Sequence, residues 1–181
     1  MELENFPTKK YNTIVIDPPW NITMSGKVKR GREHRKTALT YKTMSLEEIK
    51  YKIPISQIAN KGCHIYCWTT NKMLRETFNV LEEWSVNFHL VLVMVKPSGI
   101  APAMGYVFGS EFCLLGFYGK PMQKFLNIGK LNWIQNLNGD GKHSVKPDKF
   151  YELVEAMSPA PRIDIFARRK REGWDVYGNE V

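Results

Sequence analysis

The chain of 181 residues has little cysteine, no net acidity and no long uninterrupted apolar run. Its three cysteines, Cys63, Cys67 and Cys113, are an odd count without the spacing of a secreted disulfide framework, so we expect reduced thiols. No apolar leader or membrane-length segment is recognisable in the sequence, which argues against a membrane partner. We therefore expect a cytoplasmic protein.

Two phosphate-binding signatures are also missing. The chain contains neither Gly-x-Gly-x-x-Gly nor Gly-x-x-x-x-Gly-Lys-Ser/Thr, so a dinucleotide fingerprint and a P-loop have no support. Gly139-Asp140-Gly141-Lys142 resembles a phosphate loop only superficially, because no strand precedes it. Cys63-His64-Ile65-Tyr66-Cys67 contains metal-ligand types, but it lies in a predicted buried strand and no second ligand pair follows. We predict no metal site.

What the chain does contain is enough apolar sequence for one core and an excess of positive charge. Hydrophobic residues make up 43% of it and aromatic residues 12%, which predicts a single domain over residues 1–181. The formal net charge of +8 favours a polyanionic partner, most simply nucleic acid. A basic composition alone also describes many ordinary proteins, so the position of the charge matters more.

Most of the excess charge lies in one polar stretch, at about residues 24–42, which has no apolar periodicity. Its basic residues are Lys27, Lys29, Arg30, Arg32, Arg35 and Lys36, against the single acidic residue Glu33. We interpret the stretch as a mobile loop whose basic residues contact substrate phosphates, with a solvated, partly disordered segment as the alternative. A second flexible loop is expected at about 120–142, where Asn and Gly are frequent.

Hydrophobic periodicity predicts strands that alternate with helices. Strands are expected at 11–16, 63–69, 89–95, 110–119, 162–167 and 174–178, and helices after Ser45, from Asn71 to about Trp84 and from about Asp148 to Met157. The alternation favours an α/β fold with one mostly parallel sheet and helices on both faces. Only six residues separate the last two predicted strands, too few for a crossover helix.

Asp17-Pro18-Pro19-Trp20 directly follows the first predicted strand. Ligands of open α/β sheets bind beyond the carboxyl ends of strands, so these four residues should lie in the expected crevice. The two prolines make a stiff turn without N–H groups, which leaves carboxylate and carbonyl acceptors for an adenine amino group. Trp20 can stack on a base that has left the helix. The alternative is that the prolines only end the strand and Trp20 fills the core.

Five blocks of sequence, taken together, resemble the adenine-N6 methyltransferases. The resemblance is to the branch that contains the catalytic subunit of the eukaryotic messenger-RNA adenosine methyltransferase and its bacterial and phage relatives. The blocks are Asp17–Trp20, Ser110–Gly116, His143–Pro147, Ile165–Arg168 and Gly173–Glu180, so they cover most of the chain. The resemblance implies a Rossmann-like fold, S-adenosylmethionine as cofactor and a nucleic acid as substrate.

The resemblance also implies roles for individual residues. The catalytic residues would be Asp17, Pro18, Pro19 and Trp20, with the first two as acceptors for the target amino group. Glu111 would lie beside the adenine. The cofactor would be bound by Ile16, Asp17, Lys146, Phe166, Arg168, Asn179 and Glu180. The glycine-rich cofactor loop of many DNA methyltransferases is replaced here by Phe166-Ala167-Arg168.

DNA is the expected substrate, because a small single-domain version without an RNA-binding appendage is similar to the phage or bacterial kind. The expected location is accordingly the cytoplasm of a bacterium or of a phage-infected cell. RNA is the first alternative, and a non-catalytic nucleic-acid-binding subunit is the second. A homodimer is left open by the sequence.

Overall fold

The structure, a computed structural model, describes residues 3–22, 42–96, 101–103, 105–120, 122–135 and 146–178. The strands are β1 Tyr11–Ile16, β2 Ala59–Thr69, β3 Val86–Val95, β4 Ala101–Ala103, β5 Tyr106–Phe108, β6 Ser110–Tyr118, β7 Trp133–Gln135, β8 Arg162–Ile165 and β9 Trp174–Tyr177. Seven of them form one sheet in the order β7-β3-β6-β2-β1-β8-β9, and β4 pairs separately with β5.

Six strands of the sheet run in one direction, and β6 runs against them. β1 is parallel to β2 and β8, β3 is parallel to β7, and β8 is parallel to β9. β6 pairs antiparallel with β2 and with β3. The carboxyl ends of the six parallel strands therefore meet the amino end of β6 at one side of the sheet, which we call the carboxyl edge. The predicted mostly parallel α/β fold is confirmed.

Helices cover both faces of the sheet. They are α1 Leu46–Lys52, α2 Ile55–Ile58, α3 Leu74–Glu83 and α4 Asp148–Met157. Residues of α1, α2 and α3 pack with Ile14 and Ile16 of β1, whereas α4 packs with Val15 on the opposite face. This division follows from the alternation of side chains along a strand. No helix in the described ranges is long and apolar enough to cross a bilayer.

The helix starts show how local sequence sets these boundaries. Ser45 and Glu48 form a reciprocal capping box at α1, as their spacing predicts. The predicted helix at 71–84 instead begins as a 3₁₀ turn, Asn71–Met73, and Asn71 does not cap it. The predicted boundaries of α4 agree with the structure.

Three short strands escaped the sequence analysis. β4, β5 and β7 have three residues each, too few for an alternating pattern to be recognised. β7 lies inside the stretch that we expected to be a flexible loop, and it extends the sheet beside β3. Residues 122–132, which precede β7, are irregular, as predicted.

The last two strands are parallel although only residues 166–173 connect them. Parallel neighbours usually need a crossover of a dozen or more residues. Here β8 has only four residues and is about 13 Å long. The connection has eight residues and can span at most about 26 Å, which is enough to return to the level at which β8 begins. No helix is needed, as the short spacing predicted.

The candidate metal ligands of β2 do not gather. Cys63 and Cys67 lie in the core on the α1–α3 face, whereas the ring of His64 bonds to Ser158 at 2.7 Å and to the Gln123 carbonyl at 2.9 Å. Within the residues that the structure describes, no group of three or more His, Cys, Asp or Glu side chains is placed to hold a metal ion.

Candidate active site

Asp17, the first residue after β1, lies at the carboxyl edge. Its backbone N–H donates to the Ile165 carbonyl at 3.3 Å, which fixes the chain between β1 and β8. Its Oδ2 lies 2.8 Å from Nζ of Lys146, just before α4. The Lys146 side chain is 11% exposed and that of Asp17 is 27% exposed. The ion pair is therefore largely shielded from water, while part of the Asp17 carboxylate stays accessible.

Two further charged side chains extend this pair. Nζ of Lys146 lies 3.8 Å from Oε2 of Glu111, and Oε1 of Glu111 accepts a hydrogen bond from Nζ of Lys96 at 2.6 Å. Glu111 is at the amino end of β6 and Lys96 directly follows β3, so the antiparallel strand brings a carboxylate to the edge where its neighbours end. We call these four residues, which alternate in sign, the charge row.

The charge row stabilises the ionised form of its buried members. Burial alone would raise the pKa of Glu111, but the ammonium groups of Lys146 and Lys96 outweigh it and hold that pKa below its usual range. Burial alone would lower the pKa of Lys146, but the carboxylates of Asp17 and Glu111 outweigh it and raise that pKa. Glu111 is therefore negative and Lys146 positive at neutral pH.

Trp68 of β2 lies beneath the ammonium group of Lys146. Nζ is 4.7 Å from the centroid of the indole ring, a cation–π contact in a buried setting. The Trp68 carbonyl accepts a hydrogen bond from Nε1 of Trp20 at 3.0 Å. Trp68 thus links the charge row to the Asp17–Trp20 turn, and sequence reasoning did not identify it.

Backbone hydrogen bonds hold the Asp17–Trp20 turn in place. The Pro18 carbonyl accepts from the N–H of Trp20 at 2.7 Å, and the Pro19 carbonyl accepts from the N–H of Met44 at 2.9 Å. A carbonyl oxygen has two lone pairs, so Pro18 retains an acceptor for a ligand. The ring of Trp20 is only 4% exposed and packs in the core. The structure thus places it as the core alternative describes, and its stacking role stays a prediction.

A cavity opens beside Asp17 towards β8. Its lining residues are Val15, Asp17, Trp68, Lys146, Tyr151, Asp164, Phe166, Ala167, Arg168 and Arg169. Four predicted cofactor residues, Asp17, Lys146, Phe166 and Arg168, are among them. The side chain of Ile16 is instead fully buried in the core of the other face, so only its backbone is available for contact.

Asp164 and Tyr151 are cavity residues that sequence reasoning missed. The hydroxyl of Tyr151 donates to Oδ2 of Asp164 at 2.6 Å. Burial, reinforced by the negative charge of Asp17, raises the pKa of Asp164 to about 7, although Tyr151 and Lys146 oppose the shift. The available signal was one acidic residue in the otherwise apolar run Ile163–Ala167.

The turn after β8 presents Phe166 to the cavity. Phe166 has a left-handed backbone, φ 63°, which is uncommon for a bulky residue and marks a constrained turn. The Tyr177 carbonyl accepts from the N–H groups of Phe166 and Ala167. A Cβ atom at Gly178 would lie 2.5 Å from the Ala167 carbonyl oxygen. The glycine is therefore required for the end of β9 to support this turn.

The basic segment after that turn is tied to α4. Asp148, the first residue of α4, bonds to both Arg169 and Arg171. The guanidinium carbon of Arg171 also lies 4.1 Å from the ring centroid of Tyr151. These partners favour a structural role for Arg169 and Arg171.

Several predicted residues lie outside the described ranges. They are the loop residues Lys27, Lys29, Arg30, Arg32, Arg35 and Lys36, and the cofactor residues Asn179 and Glu180. Their roles stay predictions.

The cavity suits the chemistry of S-adenosylmethionine. The methionine end of that cofactor carries an ammonium and a carboxylate, and the cavity offers both the carboxyl groups of Asp17 and Asp164 and the cations of Lys146 and Arg168. Phe166 offers a planar apolar surface for the adenosine. The residues present therefore fit this group.

Residues 11–180 match the model of the MT-A70 family. The chain belongs to the MT-A70 family. The methyltransferases of this family use S-adenosylmethionine as methyl donor, so the predicted cofactor and the predicted family are both confirmed.

Individual relatives include short and long proteins. The chain is 27% identical over 192 residues to Type II methyltransferase M.MunI of Mycoplasma sp, covering 97% of this chain and 79% of the relative. It is 24% identical over 188 residues to N(6)-adenosine-methyltransferase catalytic subunit METTL3 of Homo sapiens, covering 95% of this chain and 28% of the relative. For N(6)-adenine-specific methyltransferase METTL4 of Mus musculus the identity is 29% over 198 residues, covering 96% of this chain and 38% of the relative.

Proposed function

We propose that this MT-A70 methyltransferase transfers the methyl group of S-adenosylmethionine to the exocyclic N6 amino group of adenine in DNA. The observation that carries the proposal is the position of Asp17 between two environments. Asp17 lines the cavity that fits the cofactor, and Lys146, which also lines it, connects Asp17 to Glu111 outside the cavity. A carboxylate in that position can hold an amino group in line with the methyl donor.

The amino group of adenine is a poor nucleophile because its lone pair is delocalised into the ring. Hydrogen bonds from its two N–H groups to the Asp17 carboxylate and the Pro18 carbonyl favour the tetrahedral geometry of the transition state. Lys146 fixes the orientation of the Asp17 carboxylate through the 2.8 Å contact. Positioning by this turn is accordingly the main contribution of the protein.

S-Adenosylmethionine, when bound, would supply a methyl group that is attached to a sulfonium. The sulfur leaves as a neutral thioether, so no acid is needed. Asp17 is too weak a base to deprotonate the free amino group first. The proton leaves the nitrogen after methyl transfer, and the Asp17 carboxylate is the nearest acceptor for it. Glu111, held negative by its two lysines, lies beside this position and can orient the adenine ring.

The charge of the chain supports a nucleic-acid substrate, and one of the relatives supports DNA. The net charge of +8 fits a polyanion. For DNA, the support is the match to Type II methyltransferase M.MunI, which extends over 79% of that relative, whereas the match to METTL3 of Homo sapiens extends over 28%. Features of the long eukaryotic relatives outside the matched region therefore give no guide to this chain.

A competition experiment tests the proposal. The purified protein is incubated with S-adenosylmethionine and an equimolar mixture of DNA and RNA oligonucleotides of the same adenine-containing sequence, and the nucleosides are analysed by mass spectrometry. We expect N6-methyldeoxyadenosine to accumulate faster than N6-methyladenosine. Faster methylation of RNA would reverse the substrate assignment, and no methylation of either would support a binding role.

A further inference from the structure

A two-stranded hairpin, formed by β4 and β5, lies at the carboxyl edge beside the charge row. The two strands pair antiparallel, with Ala103 opposite Tyr106, and they form a sheet of their own. The carbonyl of Gly109 accepts from the N–H of Lys96 at 2.7 Å, which closes the base of the hairpin. The hairpin therefore extends from the segment between two residues of the charge row, Lys96 and Glu111.

The base of the hairpin lies on the same face of the sheet as the candidate active site. Met94 of β3 and Cys113 of β6 pack with α4 on that face. Because side chains alternate along a strand, Lys96 and Glu111, each two residues away, point to the α4 face as well. The charge row thus connects Asp17 to the base of the hairpin along one face of the sheet.

The outer end of the hairpin stands clear of the rest of the protein. The side chain of Tyr106 is 82% exposed and that of Val107 is 62% exposed. Consecutive residues of a strand point to opposite faces, so both faces of the hairpin are open to solvent at this end. Gly105 lies in the turn with a φ of 96°, and a Cβ atom there would meet no described atom within 4 Å. The hairpin is therefore a narrow projection.

The composition and the size of this projection favour a nucleic acid over a second protein. Residues 97–110 contain no Asp, Glu, Lys, Arg or His. Uncharged, apolar side chains are typical of the wedges that proteins insert between the base steps of a duplex. A standard interface between proteins involves about 20 to 30 residues a side, many more than the hairpin offers. Insertion into a base stack, in contrast, needs only one or two side chains.

Tyr106 is within reach of an adenine at the candidate active site. Among the exposed aromatic residues of the described ranges, it alone lies on a segment that the charge row flanks; the others are Tyr51, Phe88 and Trp133. It precedes Glu111 by five residues, which can span at most about 18 Å. That length corresponds to about five stacked base pairs at 3.4 Å each. The base pairs next to a target adenine are therefore accessible to Tyr106.

We propose that Tyr106 inserts into the base stack of a double-stranded substrate and occupies the gap that the flipped adenine leaves. An adenine in a duplex must lose its stacking and its pairing to reach Asp17. The ring of Tyr106 offsets part of this cost because it stacks on the bases that remain. The inference rests on the proposed function, since it needs an adenine at Asp17, and it adds that the substrate is a duplex.

The test compares two duplexes of the same sequence, both containing an adenine that the wild type methylates. In one duplex this adenine is paired, and in the other it is mismatched and therefore costs less to extrude. With cofactor and protein saturating, Tyr106→Ala should lower the single-turnover rate about 10-fold on the paired duplex. On the mismatched duplex the loss should be below about threefold. Tyr106→Phe, which keeps the ring, should restore the rate.

A second readout reports base flipping directly. With 2-aminopurine in place of the target adenine, unstacking raises the fluorescence, and Tyr106→Ala should reduce that rise on the paired duplex. Binding of S-adenosylmethionine, measured by calorimetry, should not change, because Tyr106 does not line the cavity. Tyr51→Ala is the matched control, since Tyr51 is an exposed aromatic residue on α1, on the opposite face of the sheet. It should leave all these values unchanged.

Several results would overturn the inference. If Tyr106→Ala leaves the rate on the paired duplex unchanged, the hairpin does not enter the base stack, although the proposed function stands. An equal loss on both duplexes would place the effect in the fold or at the site. Methylation of single strands alone would remove the duplex from the inference. Dissociation of a wild-type dimer by Tyr106→Ala in sedimentation, with unchanged rates, would assign the hairpin to a second copy. Failure of the wild type to methylate any substrate would reject the proposed function itself.

Discussion

Two buried carboxyl groups lie on opposite sides of Lys146, and the protein shifts their pKa values in opposite directions. Burial would raise the pKa of both. At Glu111 the ammonium groups of Lys146 and Lys96 oppose the effect of burial, so the pKa of Glu111 falls below its usual range. The nearest partner of Asp164 is the neutral hydroxyl of Tyr151, and its pKa rises to about 7.

The difference shows that direct contact with cations, more than burial itself, decides the charge of these groups. Lys96 and Lys146 lie within 4 Å of Glu111, whereas Lys146 and Arg171 oppose the shift of Asp164 only through their charge, and the negative charge of Asp17 reinforces it. At neutral pH the side of the site that faces the proposed adenine position carries a fixed negative charge at Glu111. On the cavity side, Asp164 keeps its proton to a higher pH than an ordinary aspartate does. Substitution of Lys146 changes the environment of both carboxyl groups, whereas substitution of Lys96 or Asp164 changes one side only.

Lys146→Met removes the cation between the two sides and should have the largest effect. Asp17 loses its 2.8 Å partner and Glu111 loses one of its two, so the geometry and charge of the acceptor site are both disturbed. We expect kcat to fall about 100- to 1000-fold, as on loss of a preorganised charged group. Steady-state kinetics with Lys146→Arg as the charge-preserving control checks this, and a loss below threefold would contradict it.

Lys96→Met acts on the Glu111 side alone. It removes the 2.6 Å partner of Oε1, so the pKa of Glu111 should rise and the acidic limb of kcat/KM should move to higher pH. At neutral pH we expect a decrease of about 10-fold, and Lys96→Arg should restore the profile. An unchanged pH profile would show that Glu111 has no part in the reaction.

Asp164→Asn acts on the cavity side and should have the smallest effect. In the wild type the folded protein holds a proton on Asp164 up to about pH 7, whereas the unfolded chain releases it near pH 4. The stability from this group is therefore fully present below about pH 4 and is lost as the pH rises to about 7.

Asn cannot ionise and still accepts from Tyr151. We expect Asp164→Asn to be more stable than the wild type at pH 8, by about 1 kcal/mol, and not at pH 4. Urea unfolding at the two pH values measures the difference. Destabilisation by the variant at pH 8 would show that the ionised carboxylate is favourable in the fold.

Local signals made much of the fold predictable. β1 was recognised from its apolar run, and α1 from the reciprocal contacts of Ser45 and Glu48, because these features depend on residues that are close in sequence. The position of Asp17 also followed from the strand that it ends. β7 was missed because its pairing with β3, about forty residues earlier, and not its own sequence, makes it a strand.

The candidate site was less predictable because its contacts join distant parts of the chain. Lys96 meets Glu111 only because β3 and β6 pair in a particular register. The burial of Trp20 likewise depends on the Trp68 carbonyl, 48 residues away. The residue type at position 20 is compatible with either a core role or a stacking role, so tertiary contacts are needed to choose between them.

The most direct test of the proposed site is the single-turnover rate of adenine methylation by Asp17→Ala. The matched control is Asp175→Ala. Asp175 lies on β9, away from the cavity, and its carboxylate pairs with Lys9. With S-adenosylmethionine and DNA both saturating, we expect Asp17→Ala to be at least about 100-fold slower than the wild type and Asp175→Ala to match it. A rate for Asp17→Ala within threefold of the wild type would contradict the assignment of Asp17 to the reaction.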